Sequence, residues 1–127
     1  MAGTPIRAAR GTRAQRLGRA AESAAAAALE AEGWTILGRR LRTQGGEIDL
    51  VVRKADILAF VEVKARPALA DAAWAISLRQ QGRLLVAAEI LLGEHPEWHA
   101  PSMRFDAMLV DGEGRVRRIV DAFRADR

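Results

Sequence analysis

The chain alternates between long segments rich in helix formers and short apolar runs of strand length. From about Thr12 to Glu32 the segment TRAQRLGRAAESAAAAALEAE predicts a first helix, which Gly33 closes as a C′ residue. Its apolar positions Leu17, Ala21, Ala24, Ala28 and Ala31 are mostly too small to bury much area, so this face calls for a close, flat partner such as a sheet. WTILGRRLR then predicts a strand, Gly45-Gly46 a turn, and EIDLVVR and ILAFVEVK two further strands. Beyond Pro67, the stripe Ile76, Leu84, Leu85, Ala88, Leu91 and Leu92 predicts a second helix from about Asp71 to Leu92, broken near its start. MRFDAMLVD and RVRRIVDAF predict strands four and five, joined by the hairpin signal Asp111-Gly112-Glu113-Gly114. The order is αβββαββ. A helix between strands three and four demands a crossover, which makes this an α/β fold with a mixed β-sheet flanked by helices.

At 127 residues the chain has the length of one domain, expected over residues 13–127. Residues 1–12, with Gly3, Pro5, Arg7, Arg10 and Gly11, read as a flexible basic arm. No apolar run of about 18 residues is present to span a bilayer, and MAGTPIRAARGTR lacks the apolar core of a signal peptide, so a cytoplasmic location is expected. The absence of cysteine excludes disulfides, thiolate zinc sites and cysteine nucleophiles. Twenty basic against 16 acidic residues, a formal charge of +4, favour a polyanionic partner such as nucleic acid, although the heavy Arg and Ala usage of a genome rich in G and C would give the same excess. Only two of the basic residues are lysines, Lys54 and Lys64, which makes the second of them conspicuous.

The conspicuous stretch is GGEIDLVVRKADILAFVEVKAR, Gly45 to Arg66, which sets Glu47, Asp49, Glu62 and Lys64 among core-type residues. Side chains alternate along a strand, so Glu47 and Asp49 share one face of the second strand, and Glu62 and Lys64 one face of the third. A two-residue turn at Ala55-Asp56, or a four-residue turn from Lys54 to Ile57, sets Asp49 against Glu62 and Glu47 against Lys64. A three-residue turn would not. Opposed, partly buried carboxylates repel, and a divalent cation such as Mg²⁺ relieves this with one or two carboxylates, several waters and a carbonyl such as that of Val63. Such an ion polarises a phosphoryl oxygen and lowers the pKa of its water, which is the chemistry of phosphodiester hydrolysis, with Lys64 placed to steady the developing charge. The bland alternative is a salt bridge from Lys64 to Glu47 or Glu62 on a solvated edge, with Asp49 an ordinary exposed residue.

An acidic residue followed by Glu-x-Lys on the adjoining strand resembles the active site of the PD-(D/E)xK nuclease superfamily, which includes many restriction endonucleases and the archaeal Holliday junction resolvases. More narrowly, GEIDLVVRKADILAFVEVKAR is similar to the hallmark of the YraN family of bacterial endonuclease-like proteins. The likeness takes in LGRAAESAAAAALEAEGWTILGRRLR before it, and RFDAMLV and the terminal DAF after it. The resemblance implies a restriction-endonuclease-like fold acting on DNA, by analogy branched or structured DNA. It also implies Mg²⁺ or Mn²⁺ held by Asp49, Glu62 and Val63, Lys64 as the catalytic lysine, and Glu22 of the first helix completing the metal site. Glu47 would support them, and Arg42, Arg66, Arg79 and Arg83 would contact nucleic acid. Resolvase-like proteins act as dimers, so a homodimer is the assembly this implies. The alternative is a non-catalytic nucleic-acid-binding protein that keeps the fold. Two departures stand out: Ala21-Glu22 replaces the family's Gly-Glu, and RQQGR places Gln80 where relatives carry a lysine, which would pass a phosphate contact to Arg79 or Arg83.

Arg7, Arg10, Arg13, Arg16 and Arg19 recur every three residues and drift around a helix without forming a stripe; they read as a solvated tail or as salt-dependent phosphate contacts. Arg39, Arg40 and Arg42, with Arg115, Arg117 and Arg118, would line a groove if their strands flank the site. His95 and His99 are four apart, but Pro96 favours a loop over a metal-binding helix. Trp34, Trp74 and Trp98 are candidates to stack on bases, but the first two are expected to fill the core.

Overall fold

The computed structural model describes the backbone of residues 4–65 and 76–123, and the side chains of residues 18–65 and 76–123. Five strands, β1 (Thr35–Arg42), β2 (Glu47–Lys54), β3 (Ile57–Ala65), β4 (Ser102–Val110) and β5 (Val116–Phe123), form one sheet in the order β1-β2-β3-β4-β5. Helix α1 (Thr4–Ala31) precedes β1, and α2 (Leu78–Glu94) lies in the crossover between β3 and β4. That crossover makes β3 and β4 parallel, while the other three neighbouring pairs are antiparallel. The mixed α/β architecture and the element order αβββαββ are as the sequence predicts. No helix among the described residues is long and apolar enough to cross a membrane.

The two helices cover opposite faces of the sheet, which explains why β2 and β3 are apolar on both sides. Beneath α1 lie Leu50, Val52, Ala59, Val61, Val63, Met108 and Val110, packed with Ala21, Ala25, Ala26, Leu29 and Trp34. Beneath α2 lie Val51, Leu58, Phe60, Ala107 and Phe123, packed with Ile76, Leu84, Ala87, Ala88 and Leu91. The alanine face of α1 does meet the sheet, but its centre is Ala21, Ala25 and Leu29. Ala24 and Ala28 sit at its margin, Ala31 is exposed, and Leu17 falls outside the described side chains.

The ends of the elements correct one expectation and sharpen two others. Helix α1 begins at Thr4 rather than near Thr12, so residues 4–12 of the expected arm carry helical backbone; Pro5 is tolerated because the first turn has no N–H partner to lose. Helix α2 begins at Leu78, after the break expected near the start of this stretch, where Ser77, in an extended conformation, caps it by accepting a hydrogen bond from the Gln80 N–H. Residues 66–75, which include Arg66 and Trp74, lie outside the described residues. At the other end of α1, Gly33 adopts φ 94° and the Trp34 and Gly33 N–H groups return to the carbonyls of Leu29 and Glu30, the paired bonds of a Schellman cap. Trp34 is thereby turned into the core, where the guanidiniums of Arg104 and Arg118 sit 5.4 and 4.8 Å from its ring.

Candidate active site at the parting of two strands

The β2–β3 hairpin closes through a two-residue turn, Ala55-Asp56, with Ala55 at φ 51°. Its ladder runs from Lys54–Ile57 to Leu50–Val61, the register in which Asp49 comes opposite Glu62. Beyond Leu50 the pairing changes character. The N–H of Val63, which in this register would seek the carbonyl of Ile48, donates instead to Oδ2 of Asp49 at 2.7 Å. The facial alternation of β2 breaks at the same place: Leu50 joins the core under α1, whereas Ile48 joins the core under α2. A strand residue turns its N–H and C=O to the same side, so the Val63 carbonyl also faces this gap.

Glu62 is buried, with 6 % of its side chain exposed, and is held at both oxygens: Lys64 Nζ lies 2.9 Å from Oε1 and Gln80 Nε2 lies 3.5 Å from Oε2. Glu22 reaches the gap from α1; its Oε1 is buried without a hydrogen bond and lies 3.5 Å from Arg40 Nε. Glu47 pairs with Arg42 across the β1–β2 ladder at 3.5 Å. The expected opposition of Glu47 and Lys64 is therefore replaced by Arg42–Glu47 and Lys64–Glu62 pairs, because the two strands part before those residues can meet.

The hinge of this arrangement is the turn from Thr43 to Gly46. Thr43 Oγ1 donates to the Gly46 carbonyl at 2.7 Å and accepts from the N–H groups of Gly45 and Gly46. Gly45 and Gly46 then press against Val86 and Arg83 of α2, an approach that leaves no room for a side chain at Gly45. The sheet, α1 and α2 thus converge where β2 starts.

Two adjoining cavities open there. One of about 390 Å³ is lined by Gly18, Arg19, Glu22, Arg40, Arg42, Glu47, Asp49 and Val63. The other, of about 200 Å³, shares Glu47 and Asp49 and adds Gly46, Glu62, Gln80 and Arg83. Burial is the main cause that pushes the Asp49 carboxyl up to about 7, with Glu62 and Glu22 adding to it and the Val63 N–H and Lys64 opposing it. The Glu22 carboxyl is also raised, first by burial, against the opposing charge of Arg40.

The fold thus brings Glu22, Asp49, Glu62, Val63, Lys64, Arg42 and Arg83 together. Arg79 is exposed in the first turn of α2, outside the lining of these cavities, so Arg83 and Gln80 are the α2 residues at the site. Arg115, Arg117 and Arg118 are not brought there. They lie on or beside β5, at the opposite end of the sheet from β1, where Arg115 pairs with Asp111 and Arg118 with Asp106. His95 caps α2, stacks on Trp98 at 3.8 Å and pairs with Glu97, a loop role consistent with Pro96 opening a short 3₁₀ turn. The contribution of Arg19 was hidden in the three-residue arginine spacing, and the Arg40–Glu22 pair joins positions 18 apart with no local signal.

Among the described residues, no three Asp, Glu or His groups converge as a ready-made metal cage. The donors that do converge suit an ion such as Mg²⁺ that takes one or two carboxylates, a carbonyl and several waters: Asp49, Glu62 and Val63, with the buried, unbonded Glu22 oxygen nearby.

The family model described as "Uncharacterised protein family UPF0102" matches residues 21–110. A UPF0102 protein of Granulibacter bethesdensis is 55% identical over 117 residues, which cover 92% of this chain and 74% of the relative. One from Azorhizobium caulinodans is 51% identical over 106 residues, covering 84% and 81%. Another, from Bradyrhizobium diazoefficiens, is 50% identical over 110 residues, covering 87% and 83%. The matched span holds every site residue discussed above except Gly18 and Arg19.

Proposed function

We propose that this chain, which belongs to the UPF0102 family, the family of YraN, is a metal-dependent endonuclease of restriction-endonuclease-like fold that hydrolyses phosphodiester bonds in DNA, branched or structured DNA foremost. The observation that carries the reading is the desolvated Asp49, set opposite Glu62 and hydrogen-bonded to the Val63 N–H where β2 and β3 part. A purely structural strand pair gains nothing from such an arrangement, whereas perturbed carboxylates in a cleft are what acid–base and metal chemistry require.

In this reading Asp49, Glu62 and the Val63 carbonyl hold Mg²⁺ or Mn²⁺, with Glu22 beside them. The ion supplies Lewis-acid polarisation of the phosphoryl group and a water of lowered pKa. The chain's own side chains do the rest. Lys64, 2.9 Å from Glu62, places a positive charge where negative charge develops on the phosphoryl oxygens. Arg42 and Arg83 approach from opposite sides of the cleft and position the flanking phosphates. Gln80 supports Glu62 through its amide and adds no charge, so Arg83 takes the phosphate contact.

The test is cleavage of a labelled panel of single-stranded, duplex, flap and four-way-junction DNA with Mg²⁺ or Mn²⁺, using Lys64→Ala and Glu62→Gln proteins purified in parallel. Cutting by the wild type that both variants lose supports the proposal and names the substrate. A second reading, a non-catalytic nucleic-acid-binding protein, is favoured by one observation: Lys64 is paired with the buried Glu62 carboxylate at 2.9 Å. Binding without cutting, equal in all three proteins, selects that reading. The same binding measurements, with light scattering on protein and complex, test whether the chain works as a homodimer.

A further inference from the structure

Arg40 is out of keeping with its surroundings in three respects. Its backbone sits at φ 47°, a region that a long side chain occupies only when neighbouring structure imposes it. The register of β1 on β2, Arg39 with Leu50 and Leu41 with Ile48, sets Arg40 opposite Asp49, at the point where β2 parts from β3. Its guanidinium Nε lies 3.5 Å from the one Glu22 oxygen that is buried without a hydrogen bond, although about half of the Arg40 side chain remains exposed. An ordinary strand conformation would turn position 40 away from this neighbour, so the strained backbone and the ion pair are aspects of one arrangement.

We propose that Arg40 is a positioning residue that serves as the site's resident counter-cation: it holds Glu22 when no metal ion is bound, and it competes with a divalent ion for that carboxylate. The proposal rests on the metal-site reading above. Arg40 and Asp49 line the same cavity, so an entering dication meets the guanidinium at close range and weakens its hold on Glu22. The pair lacks hydrogen-bond geometry, and the arginine is half solvated, so its release costs little. A displaced Arg40 remains in the cleft beside Arg19 and Arg42, where its charge is available to a substrate phosphate. In this scheme the site stays electrostatically satisfied when empty and becomes more basic on its rim when loaded.

The experiment is calorimetric titration of Mn²⁺ into full-length wild-type, Arg40→Ala, Arg40→Lys, Glu22→Gln, Glu22→Gln/Arg40→Ala and Asp49→Asn proteins, with melting temperatures recorded to verify folding. Arg40→Ala should bind Mn²⁺ at least threefold more tightly than the wild type, and Arg40→Lys, which keeps the charge, should stay close to it. In the Glu22→Gln background the alanine substitution should tighten binding by much less, because the contested carboxylate is gone. Arg40→Ala that binds no more tightly, or a gain that persists undiminished in Glu22→Gln, overturns the proposal while leaving an Asp49-dependent metal site intact. Wild-type binding that is absent, or unaltered by Asp49→Asn, removes the metal-site reading and this inference with it.

Discussion

Replacing Asp49 with asparagine should stabilise the metal-free protein at pH 8. Asp49 ionises near 3.8 in an unfolded chain and near 7 in the folded one, because burial and the neighbouring Glu62 and Glu22 disfavour its charge. As pH rises from 4 to 7 the unfolded chain therefore gives up this proton first, and the native state holds more protons than the unfolded one. Stability must fall with rising pH across that window, with the full cost present above pH 7 and none below pH 4. The ceiling on that cost is roughly 4 kcal/mol, from the separation of the two values. Relaxation and water entry reduce it, so we expect Asp49→Asn to gain about 1–3 kcal/mol at pH 8, or about 3–5 °C in Tm per kcal/mol for a domain of this size. The amide oxygen still accepts from the Val63 N–H, so the ladder end is kept. Urea denaturation in chelator at pH 4.5, 6 and 8 reads the effect as the difference between variant and wild type, which cancels titrating groups common to both. Adding Mn²⁺ at pH 8 should reverse the order, since only the wild type gains stability by mass action. A variant no more stable than wild type at pH 8, or a gain equally large at pH 4.5, refutes the reasoning.

Lys64→Ala should reduce cleavage at least 100-fold, the scale on which one donor to a developing anion is felt, while DNA affinity in Ca²⁺ changes little; filter binding and single-turnover cleavage separate the two. Gly45→Ala sets a methyl group against Val86 of α2 and should cost about 1–3 kcal/mol in urea denaturation, as overpacking does. It should also weaken metal binding, because the same turn delivers Glu47 and Asp49. Asp106 is buried and binds both Arg104, at 3.0 Å, and Arg118, at 2.9 Å, so Asp106→Ala should cost about 3–5 kcal/mol, leaving Arg104 without this carboxylate and Arg118 with Glu32 alone beside Trp34. Thermal denaturation checks this, and the Asp106→Ala/Trp34→Ala double variant should lose less than the sum of the two single ones.

What could be read from the chain and what could not divides along physical lines. The hairpin register was legible because only two turn lengths bring like-patterned faces together, even though Ala55 is a poor residue for φ 51° and gives no turn signal. The phase of α1 was not, since residues 24–28 of ESAAAAALEAE are all alanine and no stripe stands out until tertiary packing selects Ala21, Ala25 and Leu29. The start of α2 carried an overlooked signal: Ser77 followed three residues later by Gln80 is the spacing of a capping box, and Ser77 does cap that helix. Strand order decided the fate of the arginines. Arg42 adjoins β2 and so reaches the cleft, whereas Arg115 and Arg118 follow β5 to the far end of the sheet, and nothing in their local sequence separates the two cases.

Three carboxylates and a lysine sit inside a largely apolar strand pair for a related physical reason. A β-ladder satisfies its backbone internally and leaves no polar group for chemistry, so a site can be built into a buried sheet only where the ladder stops. Asp49 stops it by supplying the acceptor that Val63 would otherwise take from the opposite strand. That exchange leaves the Val63 carbonyl facing the gap, with Asp49 shared by the two cavities that Glu22 and Glu62 line from two different elements. The cost is an Asp49 carboxyl that resists ionisation, while Glu62 and Glu22 are paired with Lys64 and Arg40. An alanine at position 49 would remove both the charge and the acceptor, and would either close the ladder onto Ile48 or strand a buried N–H. Asparagine removes the charge alone, so comparing the two substitutions separates the residue's part in holding the strands apart from its part in holding an ion.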